Sequence, residues 1–127
     1  MDITPLIPDH NQIIQSYGPG SFKVNGISYT HSIIVTPDRT MKGEAPANFK
    51  DLDETHLEDL FEKLEGVSID VLLFGTGKTG EFLPSHLLKS MREHNITPET
   101  MNTGAACRTY NVLMPEGRRI ACGLLVL

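Results

Sequence analysis

Hydrophobic and polar positions alternate over Phe22-Lys-Val24-Asn25-Gly26-Ile27-Ser-Tyr29, with Asn25-Gly26 at the centre. A period of two predicts strands buried on one face, and Asn-Gly supplies the positive φ angles of a type I′ turn. The stretch from Ser21 to Thr36 therefore reads as a β-hairpin, its second strand extended by Ile33-Ile-Val35. Before it, Tyr17-Gly-Pro-Gly20 is a turn signal closing a short leading strand around Gln12 to Gln15. The long polar connection that follows, with Pro37, Gly43 and Pro46, has no periodicity and reads as a surface loop.

From Asp53 the period changes. Leu57, Leu60, Phe61 and Leu64 recur at helical spacing, with Asp53 as N-cap and Gly66 as stop. Ile69 to Phe74 is a nearly continuous apolar run ending in glycines, which predicts a strand covered on both faces. Pro84 opens a second helix carrying Leu87, Leu88 and Met91, and Asn95 ends it. Ile96 to Thr103 returns as a strand, completing a βαβ crossover whose expected hand is right. A short third helix over Gly104 to Met114 is stopped by Pro115-Glu-Gly117. The apolar end, Arg119 to Leu127, is a central or well-covered strand, because left exposed it would aggregate. Hairpin, helix, strand, helix, strand, helix, strand is an α/β order, and 127 residues make one domain spanning 1–127.

Composition narrows the function classes. Eleven basic against sixteen acidic residues give a net charge of −5, a poor footprint for nucleic acid or anionic lipid. No apolar stretch reaches the ~20 residues of a membrane helix, so no membrane insertion is expected. Met1-Asp-Ile-Thr-Pro5 has neither the apolar run of a secretory signal nor the Arg-rich character of a transit peptide, and the expected location is cytoplasmic. Cys107 and Cys122 then read as reduced thiols. His10, His31, His56, His86 and His94 show no metal-ligand spacing, so neither a metal nor a cofactor is expected. Glu58 with Asp59, and Glu62 with Glu65, belong to a solvated helix face.

Candidate chemistry gathers in two places. Gly75-Thr76-Gly77-Lys78-Thr79 ends like a phosphate-binding loop, but the position five before Gly77 is Leu72, inside the strand, and that motif requires glycine there. What remains is a strand-ending turn at the edge where ligands collect in open α/β sheets. Asn102-Thr-Gly-Ala-Ala-Cys107-Arg108-Thr109-Tyr110-Asn111 combines small residues with a thiol, a guanidinium, hydroxyls and an amide. At a helix start, free amides and Arg108 would stabilise an anion. The same residues fit a structural role, with small side chains packed on the sheet and Arg108 paired to a local carboxylate. Cys107 reads either as a nucleophile activated at a helix N-terminus or as a small buried thiol, and no histidine lies in its segment. The candidate ligand-binding set is Gly75, Thr76, Gly77, Cys107, Arg108, Thr109, Tyr110 and Asn111, with no residue assigned as catalytic.

These segments form a family pattern. Tyr17-Gly-Pro-Gly-Ser-Phe22, Val24-Asn-Gly26, Tyr29 with Ser32, Val71-Leu-Leu-Phe-Gly-Thr-Gly77, Pro84, Met101-Asn-Thr103, Ala105-Ala-Cys-Arg-Thr-Tyr-Asn111 and Glu116-Gly-Arg118 resemble the Mth-type domain family. That family comprises uncharacterised bacterial and archaeal proteins and includes mitochondrial complex I assembly factor three and an adipogenesis-associated relative. The resemblance runs from about Ile13 to Leu127, and the Ala105 to Asn111 run is its specific part. It implies a mixed central sheet with packed helices and an added β layer from the hairpin. It also implies one cleft flanked by the Gly75 to Gly77 turn and the Arg108 segment, and a scaffold or chaperone role without an established reaction. Members often carry a tryptophan after the hairpin; this chain has none and reads Met41-Lys-Gly-Glu-Ala-Pro46 there, with Phe49 nearby to fill part of that space.

The expectation is a non-catalytic binding or assembly-assisting domain whose cleft takes a small anion or a protein partner's carboxylate. The competing class is an enzyme acting on a small anionic metabolite, using Cys107 and Arg108 with Tyr110 as proton donor. The third is self-association as a homodimer through the terminal strand or the hairpin edge.

Overall fold

The computed structural model describes residues 10–127; the opening residues read above for a targeting signal lie outside them. Strands β1 (Ile14–Gly18), β2 (Ser21–Val24), β3 (Ile27–Tyr29), β4 (Ile33–Val35) and β5 (Thr40–Lys42) come first. They are followed by helix α1 (Glu54–Lys63), strand β6 (Val71–Gly75), helix α2 (Ser85–Glu93), strand β7 (Pro98–Met101), helix α3 (Thr103–Leu113) and strand β8 (Ile120–Leu124). The first three strands form an antiparallel sheet, and the other five form a mixed sheet ordered β5-β4-β8-β6-β7. In the larger sheet β4 pairs antiparallel with β5 and β8, whereas β6 pairs parallel with β8 and β7.

The hairpin turns where its residues require. Asn25 and Gly26 have φ of 47° and 83°, and Phe22, Lys23 and Val24 face Tyr29, Ser28 and Ile27. Three readings are corrected. Ile33-Ile-Val35 does not extend the hairpin: the chain leaves that sheet after Tyr29, and β4 enters the five-stranded sheet with all three residues buried. The supposed loop after Pro37 contains β5, an edge strand whose Thr-Met-Lys sequence is too short to show alternation. The leading strand runs through Tyr17 and Gly18, leaving only Pro19-Gly20 to turn.

Packing divides by strand parity. On one face Ile120, Cys122 and Leu124 of β8 join Leu73, Ile33 and Val35 beneath Ala106, Cys107 and Tyr110 of α3 and Ile14, Phe22 and Val24 of the hairpin layer. On the other face Ala121 and Leu125 join Leu72, Phe74 and Ile34 against Leu57 and Leu60 of α1 and Leu87 and Met91 of α2. The result is three layers: α1 with α2, the five-stranded sheet, and α3 beside the three-stranded sheet. Each large apolar side chain buried this way contributes about 1.5–3 kcal/mol.

Helix ends follow local chemistry. The Asp53 carboxylate accepts the Thr55 N–H at 2.9 Å while the Asp53 N–H donates to His56 Nδ1 at 2.9 Å, a capping box with histidine in the usual glutamate position. Asn95, at φ 59°, follows α2. Helix α3 begins at Thr103, one residue earlier than expected, because Asn102 Oδ1 accepts the Ala105 N–H at 2.8 Å and makes Asn102 the cap.

The hairpin layer is tied to α3 by side chains. Asn111 Oδ1 accepts the Ile14 N–H at 3.0 Å and Asn111 Nδ2 donates to the Ile14 carbonyl at 2.7 Å. One amide side chain thereby supplies β1 with both bonds a neighbouring strand would make. One residue earlier, the Tyr110 hydroxyl donates to the Gln12 carbonyl at 2.8 Å. At the other end of α3, Gly75 lets the helix approach: a Cβ there would stand 2.9 Å from Thr103 Cα and 2.9 Å from Leu124 Cδ2.

Asn111→Ala leaves both backbone groups of Ile14 unpaired and is expected to lower stability by about 1–3 kcal/mol in urea unfolding. Amide exchange at Ile14 should accelerate beyond what global destabilisation explains; unchanged exchange there would refute the clamp. Gly75→Ala forces α3 away from the sheet, and a melting curve should register a loss of about 1–3 kcal/mol.

Candidate functional site

The carboxyl end of β6 meets the amino end of α3, where ligands collect in many α/β sheets. Here the polar groups satisfy one another. The Thr76 N–H donates to the Met101 carbonyl at 2.9 Å, and the Gly77 N–H donates to Thr103 Oγ1 at 2.9 Å. The Thr103 hydroxyl donates to the Leu125 carbonyl at 2.8 Å, and the Thr103 N–H to the Gly77 carbonyl at 2.8 Å. Thr76 Oγ1 donates to the Thr79 carbonyl at 2.7 Å and accepts the Glu81 N–H at 3.1 Å, folding the loop beyond the turn onto itself. The Gly-Thr-Gly turn is thus a splice between β6, β8 and α3, and its Thr76 and Gly77 amides are not presented to a ligand.

The second segment separates by helix face. Cys107 is fully buried, and desolvation pushes its thiol up to about 12, with the Arg108 charge offsetting only part of the rise. Tyr110 is also fully buried, and its phenol is pushed well above its ordinary range by desolvation first, then by charge at Cys122 and Asp38. Thr109 Oγ1 points to Met101 Sδ at 3.6 Å, and Asn111 is engaged with β1. Arg108 alone of the set turns an ionisable group to solvent.

The Arg108 guanidinium folds back along α3. Its Nη1 donates to the Tyr17 hydroxyl, and its central carbon lies 6.0 Å from the centre of the Tyr17 ring. Gly104 makes this possible, since a Cβ there would stand 3.0 Å from Tyr17 Cε2 and 3.3 Å from Arg108 Nη1. Among the described residues no carboxylate lies within ion-pair distance of Arg108. Val112, one turn further along the same helix face, is 64% exposed. The expected local carboxylate partner is therefore not found, and a neutral phenol holds the arginine instead.

The resemblance implies one cleft flanked by both segments; the groove at the turn takes its walls from the first segment and not from Cys107 to Asn111. A groove of about 380 Å³ opens beside the turn, between Phe49, Lys50, Thr76, Gly77, Lys78 and Val126 among others. Neither Cys107, Arg108, Tyr110 nor Asn111 is on its walls. Arg108 lies over the first turn of α3 against β1. Tyr17 and Thr103, quoted in the sequence patterns above, stand outside the candidate ligand-binding set, yet both hold the site together. Thr103 carried a usable signal, a hydroxyl directly after an N-cap, whereas nothing local links Tyr17 to an arginine ninety-one positions away. No group of three metal-ligating side chains occurs among the described residues, and no described helix is long and apolar enough to cross a membrane.

Comparison with known proteins gives this architecture its relatives. A family model described as "Protein of unknown function (DUF498/DUF598)" matches residues 14–125. NADH dehydrogenase (ubiquinone) 1 alpha subcomplex assembly factor 3 of Bos taurus is 32% identical over 112 residues, 88% of this chain. The match spans 59% of that longer protein. A crystal structure of a Bordetella parapertussis protein superposes with a TM-score of 0.80 at 29% identity, covering 92% of this chain and 97% of that one. The solution structure of a Bordetella pertussis protein described as a Mth938-like domain gives a TM-score of 0.74 at 25% identity, covering 98% and 89%. With the mixed five-stranded sheet, the hairpin layer and the Ala105 to Asn111 seam in place, the chain belongs to the DUF498/DUF598 family of unknown function and has the Mth938-like fold.

Proposed function

We propose that this chain is a non-catalytic, assembly-assisting binding domain of the cytoplasm, in which Arg108 receives a small anionic group or a carboxylate of a protein partner. The observation that carries the reading is Arg108 itself. It is exposed, oriented by Tyr17, and without a carboxylate at ion-pair distance among the described residues. A guanidinium held in place by a neutral hydroxyl keeps its charge and most of its donors for a partner, and ordering it beforehand reduces the entropy lost on binding. Val112 beside it supplies exposed apolar area, and Arg and Tyr are residue types enriched where binding energy concentrates. The assembly-factor name of the Bos taurus relative supports a partner-binding role over a metabolic one.

The enzymatic alternative draws less support from the geometry. A thiol buried beneath α3 and held protonated at neutral pH is not poised to attack a substrate, and the phenol of Tyr110 is committed to the Gln12 carbonyl.

Millimolar citrate or phosphate should raise the melting temperature of the wild-type chain and leave that of Arg108→Ala unmoved, while the variant melts within a few degrees of wild type without anion. An Arg108→Ala chain that unfolds, together with a wild type indifferent to anions, would make the arginine structural. Alkylation gives a second measurement. In the native chain Cys107 should react with iodoacetamide only as fast as the protein opens. Folding raises the Cys107 pKa from an ordinary 9.0 to about 12, so its stabilisation is fully present below about 9 and declines as pH rises toward 12. The guanidinium midpoint should accordingly fall between pH 8 and pH 10.5, and by less in Cys107→Ala.

A further inference from the structure

The groove beside the Gly-Thr-Gly turn brings cationic and apolar side chains together. The chain carries a net charge of −5, yet two lysines, Lys50 and Lys78, stand on this groove and neither has a carboxylate within ion-pair distance among the described residues. The acid on the wall, Glu81, accepts the Thr79 hydroxyl at 3.0 Å. Apolar side chains, Phe49 and Val126 among them, share the walls with the lysines.

The next residue after Glu81 is Phe82, among the described residues the most exposed large hydrophobic side chain at 92%. Its loop is fastened on both sides. Thr76 Oγ1 holds the Thr79 carbonyl and the Glu81 N–H, Leu83 is buried with the α1 and α2 side chains, and Pro84 caps α2. A phenyl ring set in water on a fastened loop loses little freedom when a partner covers it, which is the condition for an anchor. One exposed aromatic is ordinary on any surface; this one follows directly on a residue of a groove that carries two lysines without ion-pair partners among the described residues.

We propose that this groove, with Phe82 at its rim, docks an extended segment of a partner protein in which acidic residues flank a large apolar side chain. The acids pair with Lys50 and Lys78, the apolar side chain enters between Phe49 and Val126, and Phe82 packs on the segment from outside. The proposal rests on the partner-binding reading above but uses a surface separate from Arg108.

The test titrates the blocked peptide acetyl-Asp-Glu-Phe-Leu-Asp-amide into the full chain by amide NMR. Its control carries Asn and Gln in place of the acids. Saturable shifts centred on residues 47–50 and 76–82 are expected for the acidic peptide, with affinity at least about tenfold weaker for the control and for each of Lys78→Glu and Phe82→Ala. Both variants alter exposed side chains and should keep the wild-type melting temperature. Arg108→Ala should leave this binding unchanged, so loss of the Arg108 site and loss of the groove are read separately. Equal response to the neutral peptide, shifts confined to the Tyr17 and Arg108 region, or no saturation would each overturn the proposal. So would sedimentation velocity revealing a dimer that Phe82→Ala dissolves, because the occupant would then be a second copy.

Discussion

The parallel pairing of β8 with β6, inside a sheet whose middle strand is buried at every position, is the constraint on which the other layers depend. Neither face of β8 can meet water, so the chain must supply a cover for each. Helices α1 and α2 cover the face carrying Ala121 and Leu125; α3 and the hairpin cover the face carrying Ile120, Cys122 and Leu124. At the opposite end of the same pair, Asp70 and Arg119 join the strand starts through two hydrogen bonds of 3.0 and 2.6 Å. That pair is exposed and adds little stability.

Covering one face with two dissimilar elements creates a seam, and the Ala105 to Asn111 run is the seam's chemistry. Ala106 and Cys107 are small enough to bring α3 onto the sheet, while Arg108, Tyr110 and Asn111 each reach across to the segment from Gln12 to Tyr17. A conspicuous cluster of reactive groups is thus mostly a joint between layers. The mouth of the sheet is treated alike: the Thr103 hydroxyl sits between Gly77 and Leu125 and uses hydrogen-bonding capacity that an α/β ligand site would offer outward.

At the candidate site, the ionisable groups still facing outward include Arg108 and the lysines of the groove beside the turn. Protein recognition, the role proposed for Arg108 against Tyr17 and for the lysine-edged groove near Phe82, draws its affinity from a small number of ordered anchors surrounded by neutral contacts.

Much of this was legible in local sequence. The change from alternating to helical periodicity separated the hairpin from α1, Asn25-Gly26 located the turn, Asp53 and Pro84 located two helix starts, and Leu72 ruled out a phosphate-binding loop, because each depends on residues a few positions apart. Partnership over long distances was not legible. That β4 abandons the hairpin for the larger sheet depends on which strand can bury Ile33, Ile34 and Val35 on both faces, a condition set by β8 almost ninety residues later. The residues of the candidate site were readable as chemical types. Their division into a buried Cys107 and Tyr110, a clamping Asn111 and an outward Arg108 was decided by where α3 settles, since a helix side chain becomes core, joint or surface only through what packs against it.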